Sequence, residues 1–201
     1  NLGNCAQTTS LNHNAPTLES LSNYTIPHST PFKLTANATD DGNSLTYCWE
    51  QYDRQQSTQP PVKESTIGPV FRSFEPTTNP TRYFPKLEAI LAGTSTDWEV
   101  LPAVKRDLNF MVTVRDNDTE GGQFAQTKNL IKTTSSGPFK ITTQKTENTK
   151  WIHNQYQIIN WDVAGTDGNG INTSLVNIKL SLDGGENFDI ILAENTPNDG
   201  T

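Results

Sequence analysis

Apolar residues are scarce in this chain. Alanine, valine, isoleucine, leucine, methionine, the aromatics and cysteine make up 32% of its 201 residues, and mean hydropathy is −0.63. That is too little for one large core and suits thin β-sandwiches with much surface. No run approaches the ~18 apolar residues of a membrane-spanning helix, so no membrane insertion is expected. No basic stretch followed by an apolar one opens the chain, so no signal peptide is expected in it, and it reads as a mature piece of something longer. Basic residues are in deficit, 15 against 22 acids, for a net charge of −7. An acidic surface argues against nucleic acid, whose phosphates need basic patches, and against anionic lipid.

Catalytic signatures are missing too. The three histidines are His13, His28 and His153. None is four residues from another and no His-Glu-x-x-His occurs, so they read as solvated loop side chains rather than zinc ligands. There is no Gly-x-Ser-x-Gly elbow, Walker loop or dinucleotide fingerprint. Glu50 and Asp53 are a carboxylate pair of the kind glycosidases use, but a fold this thin has little room for a sugar cleft. The fragment is therefore expected to be non-enzymatic, with no catalytic and no cofactor-binding residue assigned.

What is present is period-two alternation. Phe32, Leu34, Ala36 and Ala38 alternate with Lys33, Thr35, Asn37 and Thr39. Leu45, Tyr47 and Trp49 alternate with Thr46, Cys48 and Glu50. Leu108, Phe110, Val112 and Val114 form a third such series. These are half-buried strands. A short helix is expected over Pro85–Gly93, with proline at its first position, Leu87, Ile90 and Leu91 on one face, and a closing glycine. Arg54–Lys63 is loop. Ser135-Ser-Gly-Pro138 is a domain boundary. Beyond it, strands are expected over residues 139–143, 156–163, 176–182 and 187–192, with Asp183-Gly184-Gly185 turning the last pair. That gives a linker over 1–15, a β-sandwich over 16–135 with a long loop and short-helix insertion, and a second sandwich over 136–201. The second shows too few strands for a complete seven-stranded sandwich and is expected to be truncated, or closed by other segments. Trp49 and Trp161 are expected in the two cores.

The two cysteines, Cys5 and Cys48, admit three readings. They pair, closing a long loop and stabilising the fold by about 3–4 kcal/mol. They stay free. Or Cys5 pairs with a partner upstream.

Asp40, Asp41 and Asn43 stand at one strand end, and Asp116 and Asp118 at another. Ca2+ takes six to eight hard oxygens. If the two ends share a pole of the sandwich, these five side chains are candidate calcium ligands, completed by Glu50, Asp53 or an oxygen from Asn14–Glu19. The alternative is that they are turn residues, because Asp, Asn and Gly make turns unaided.

Ala38–Tyr47 together with Val112–Asp118 resembles cadherin-like and PKD-like bacterial immunoglobulin-fold modules, with a turn one residue shorter than their usual acidic form. More narrowly, Leu45–Asp53, Gly68–Phe74, Arg82–Leu87 and Trp98–Pro102 are similar to the accessory region of secreted, reprolysin-like zinc metallopeptidases of Bacteroidetes. Trp161–Thr166, Leu180–Phe188 and Asn195–Gly200 resemble the next module of those proteins. The resemblance implies tandem Ig-like sandwiches, secreted or cell-surface, monomeric, and joined to a protease domain whose zinc motif is absent from this chain. It implies a spacer, a calcium-stiffened stalk, or a binder of a protein substrate or cell surface. The other reading is an adhesin or glycan-binding module. Loops Arg54–Thr66 and Gly68–Pro102 are the expected binding surface.

Overall fold

The computed structural model describes residues 10–42, 44–94, 97–144 and 149–201. The fold is all-β and sandwich-like, with one short helix. Strands β1 (Thr17–Leu18) and β4 (Ala38–Thr39) form a small pair at the entry. The main sheet has the order β2 (Tyr24–Ile26), β8 (Phe124–Thr133), β7 (Arg106–Arg115), β5 (Thr46–Gln51). Its β2–β8 pairing is parallel and the others antiparallel. Opposite lie β3 (Phe32–Thr35) and β6 (Thr81–Phe84), paired antiparallel.

Strand β7 shows why these elements pack as they do. Leu108, Phe110, Val112 and Val114 are all at 0% exposure, and each such burial contributes about 2 kcal/mol. The facing sheet meets them through aromatic rings, with the Phe84 and Phe110 centroids 4.6 Å apart. Trp49 closes the same core and donates from Nε1 to Pro80 O.

The alternation over residues 32–51 is real, but it is not one hairpin. The chain leaves the ladder at Ala36 and Asn37, so β3 pairs with β6, β4 with β1 and β5 with β7. The segment crosses from one sheet to the other, and Asp41 and Gly42 of its acidic turn are exposed.

Helix α1 (Leu87–Ala92) follows the expected site with two corrections. Gly93 closes it as expected, in the left-handed region at φ 62°, but Pro85 precedes the N-cap residue Lys86 instead of opening the helix. The core-facing residue is Ala89, whereas Leu91 is 60% exposed. The Leu87 and Leu91 side chains turn instead toward Gly185.

The segment between β5 and β6 is loop, yet it is anchored. Val70 and Phe71 are 1% and 2% exposed, and both amides donate to Gln51 Oε1. Gln51 continues the inward series of Tyr47 and Trp49, so a polar side chain occupies a core position and holds the loop. Arg106 adds bonds to the carbonyls of Ser65 and Gly68.

Among the described residues, no sheet pairs a strand before Thr133 with one after it. The later part holds two separate ladders. Strands β9 (Lys140–Ile141) and β10 (Trp161–Asp162) are much shorter than their sequence suggests. Tyr156, expected in a strand, is fully exposed. Strands β11 (Leu175–Leu180) and β12 (Ile190–Pro197) form the hairpin, turned by Gly184 and Gly185 at φ 74° and 91°. Asp183 fixes that turn by accepting from Asn187 N and Nδ2 and from Ser181 Oγ. Trp161 is 6% exposed and donates from Nε1 to Asn198 Oδ1.

Candidate functional site

The turn after β4 and the turn after β7 do lie at one pole. The register sets Thr46 opposite Arg115. Asn117, in the left-handed region at φ 56°, then ties the two turns together. Its Nδ2 donates to Ser44 O at 2.9 Å, and its Oδ1 accepts from Thr46 Oγ1 at 3.2 Å.

Residues Leu11 to Asn14 of the entry segment lie as a docked strap across this pole. Leu11 packs against Gly121, where any side chain would collide with it. Asn14 donates from its backbone N and from Nδ2 to Asp41 Oδ2, both at 3.0 Å. These bonds, the backbone one foremost, hold the Asp41 carboxyl below its ordinary range. Gln123 Nε2 donates to His13 O at 3.0 Å.

His13 is the residue that sequence reasoning misses. It is expected to be a solvated loop side chain, yet its ring is only 11% exposed. It stands between two carboxylates, Nδ1 at 3.4 Å from Asp116 Oδ2 and Nε2 at 3.6 Å from Asp118 Oδ1. Asp116 is at 0% exposure. Its Oδ1 accepts from Asp118 N and Gln123 N, while its Oδ2 has no hydrogen-bond partner and faces the imidazole. Nothing around His13 marks it out by spacing. The one available signal is its place shortly before Pro16, which is buried.

Of the five candidate ligands, Asp40, Asp41, Asp116 and Asp118 are at or near the pole, and Asn43 lies outside the described residues. Among the described residues, no three His, Cys, Asp or Glu side chains close on one point that could hold a metal ion. Asp116 and Asp118 accept from backbone amides of their own turn, Asp41 accepts from Asn14 of the entry segment, and the His13 imidazole faces Asp116 and Asp118. Glu50 and Asp53, also named as calcium candidates, serve elsewhere. Glu50 accepts from Ser73 Oγ, and Asp53 accepts from Gln51 and from Asn109.

Cys48 points away from the core as expected and carries a free thiol, with Sγ 3.6 Å from Phe74 O. Burial pushes its pKa up. Its expected partner Cys5 lies outside the described residues.

Three grooves flank the insertion and the junction with the later strands. One of about 530 Å3 lies within the expected binding loops, against Pro60, Pro61, Val62, Val100 and Leu101. One of about 510 Å3 runs from Tyr47 and Phe74 to Glu186 and Asn187 of the β11–β12 turn. A third of about 610 Å3 lies between β6 and the later ladders. The exposed tryptophans Trp98 and Trp151 line none of the three.

Comparison of the chain with protein-family models, with curated proteins and with solved structures finds no match.

Proposed function

We propose that this chain is a stiff, non-catalytic spacer, the accessory region of a secreted bacterial metallopeptidase. The observation that carries the spacer reading is the pinned connection after β8. Thr134 N donates to Ile26 O, His28 N to Ser136 O at 2.9 Å, and Phe139 N to Thr30 Oγ1 at 2.9 Å. Gly137 passes so close to His28 that a side chain there would collide with the His28 carbonyl oxygen. Farther out, Tyr83 Oη donates to Gly185 O at 3.3 Å, and Leu87 and Leu91 pack on that glycine. A connection bonded this densely fixes the direction of the strands beyond it, whereas a Gly/Ser linker would leave them free. The metallopeptidase parentage and the secreted location rest on the sequence resemblance. A His-Glu-x-x-His motif encoded upstream of residue 1 is its expected companion.

Spin labels at Glu120→Cys and Glu194→Cys, in a Cys5→Ser, Cys48→Ser background, test the stiffness by double electron–electron resonance. The expected result is one narrow distance distribution that broadens when Thr30→Val removes the Phe139 bond. A broad distribution in the parent protein would refute the spacer reading.

A further inference from the structure

The groove of about 610 Å3 carries features that a spacer does not need. Residues 175–179 of β11 line it consecutively. No residue of its partner β12 lines the groove, although the β11–β12 ladder is irregular between Val176 and Lys179, so the groove runs along the edge of β11 that faces away from β12. That edge is open, because among the described residues β11 pairs with β12 alone. The opposite wall is apolar, made by Ile141, Ile159 and Trp161, with Phe139 and Tyr83 beside them. Much of this surface lies bare, with Ile141 at 54%, Leu175 at 49% and Phe188 at 42% exposure. The charge is also unusual. Lys33 and Lys179 line the groove, and no Asp or Glu among the described residues does, in a chain of net charge −7.

We propose that this groove is a docking site for an extended polypeptide segment in which apolar and acidic residues alternate. The segment adds as a strand to the open edge of β11. Its backbone satisfies the outward amides and carbonyls of that edge, as in β-strand addition generally. Its apolar side chains cover Ile141, Leu175 and Phe188, and its carboxylates meet Lys33 and Lys179. An open edge beside an apolar wall favours a strand over a small amphiphile, which would leave the edge unpaired. Two lysines with no acid beside them in the groove favour an acidic strand over the β11 edge of a second copy, which would bring its own Lys179 to a groove already lined by lysine. The inference goes beyond the spacer reading and stands or falls apart from it, since stiffness and peptide binding are read by different assays.

The test uses the full 201-residue chain and two fluorescein-labelled nine-residue peptides, one alternating valine with glutamate and one valine with lysine. Fluorescence anisotropy is expected to show the glutamate peptide binding at least about tenfold more tightly. Reversing the groove's charge with Lys33→Glu and Lys179→Glu, both at exposed positions, is expected to invert that preference. A serine–glutamate peptide is expected to bind weakly, because it brings charge without apolar side chains. Equal binding of the two valine peptides, no binding of either, or a preference indifferent to the charge reversal would overturn the proposal. So would concentration-dependent dimers in sedimentation velocity, which would make a second copy the occupant. Decanoate binding where the peptides fail would point to a small amphiphile and equally defeat it.

Discussion

Gln51→Leu isolates the interaction that turns a long insertion into part of the core. In the native chain, Gln51 Oε1 accepts from Val70 N at 2.8 Å and from Phe71 N at 3.1 Å, and both residues are almost fully buried. Leucine keeps most of the volume and removes the acceptor. Two backbone amides are then stranded out of reach of water, at about 1–3 kcal/mol each. Leucine's easier desolvation offsets part of this, so the net loss is about 2–4 kcal/mol, or roughly 4–16 °C in Tm for a chain of this size. Urea unfolding measures the total. Hydrogen exchange locates it, since the Val70 and Phe71 amides should exchange faster in the variant while those of β7 and β8 keep their order. Gln51→Glu is the partner experiment. It keeps the acceptor for both backbone amides but sets a carboxylate against Asp53, which accepts from Gln51 Nε2. Its deficit should therefore be partly relieved when Asp53→Asn is added, which removes the opposing charge. A Gln51→Leu protein within about 0.5 kcal/mol of the parent, or with unchanged exchange at Val70 and Phe71, would refute the idea that this side chain holds the insertion.

Three further outcomes are expected. The Asp183 carboxyl is held down to about 2 from 3.8 by hydrogen bonds from the Asn187 backbone, the Ser181 hydroxyl and the Asn187 side chain. Its support of the β11–β12 turn is therefore complete above the unfolded value and is lost as pH falls through the folded one. NMR titration of Asn187 N–H protection should show this, and Asp183→Asn should abolish it. Cys48, its pKa raised chiefly by burial, should react with a thiol reagent at pH 8 much more slowly in the folded protein than in urea, and equal rates would contradict its half-buried setting. His13→Ala removes the ring between Asp116 and Asp118 and leaves carboxylates without that base. Millimolar CaCl2 against EDTA should then raise the variant's Tm more than the parent's. Equal shifts would show that His13 does not stand in a cation's place.

The strands before Thr133 are legible in the sequence because their alternation is uninterrupted and each series faces one core. Leu108 to Val114 is the clearest case. The two turns at the pole are legible for the same reason, since strand ends follow from strand registers. His13 is not, because its burial depends on a strap held by Asn14, Leu11 and Gln123, and these are long-range contacts with no local period. Gln51 looks like the polar end of a strand, because sequence alone does not show that two buried amides far along the loop need its oxygen. In the later part the apolar content of residues 156–163 suggests a full strand. Among the described residues there is no neighbouring ladder to extend it, and β10 stops after two residues. Periodicity reports which face of a segment is apolar. It does not report whether a partner strand is present to use it.

The contrast between the two parts bears on the open edge of β11. In the four-stranded sheet, strand β5 also ends the ladder, and its outer edge is closed piece by piece. Tyr47 exchanges backbone bonds with Thr77 at 2.7 and 3.0 Å. Trp49 O accepts from Arg82 Nη1, and that guanidinium is fixed by Glu99 and by the rings of Phe74 and Phe84. Gln51 turns its side chain to the same loop. Unprotected edges invite pairing with other chains, and proteins commonly cover them or place charges on them. This chain covers the edge of β5 with an insertion, an ion pair and a buried glutamine. The edge of β11 instead has an apolar wall across from it and lysines at its margin. Charge of one sign deters like-charged strands and admits opposite ones. On the docking proposal, the same lysines would both deter pairing with a basic strand and select an acidic one. The charge-reversed variant separates these roles, since loss of solubility alone would leave the peptide preference where it was.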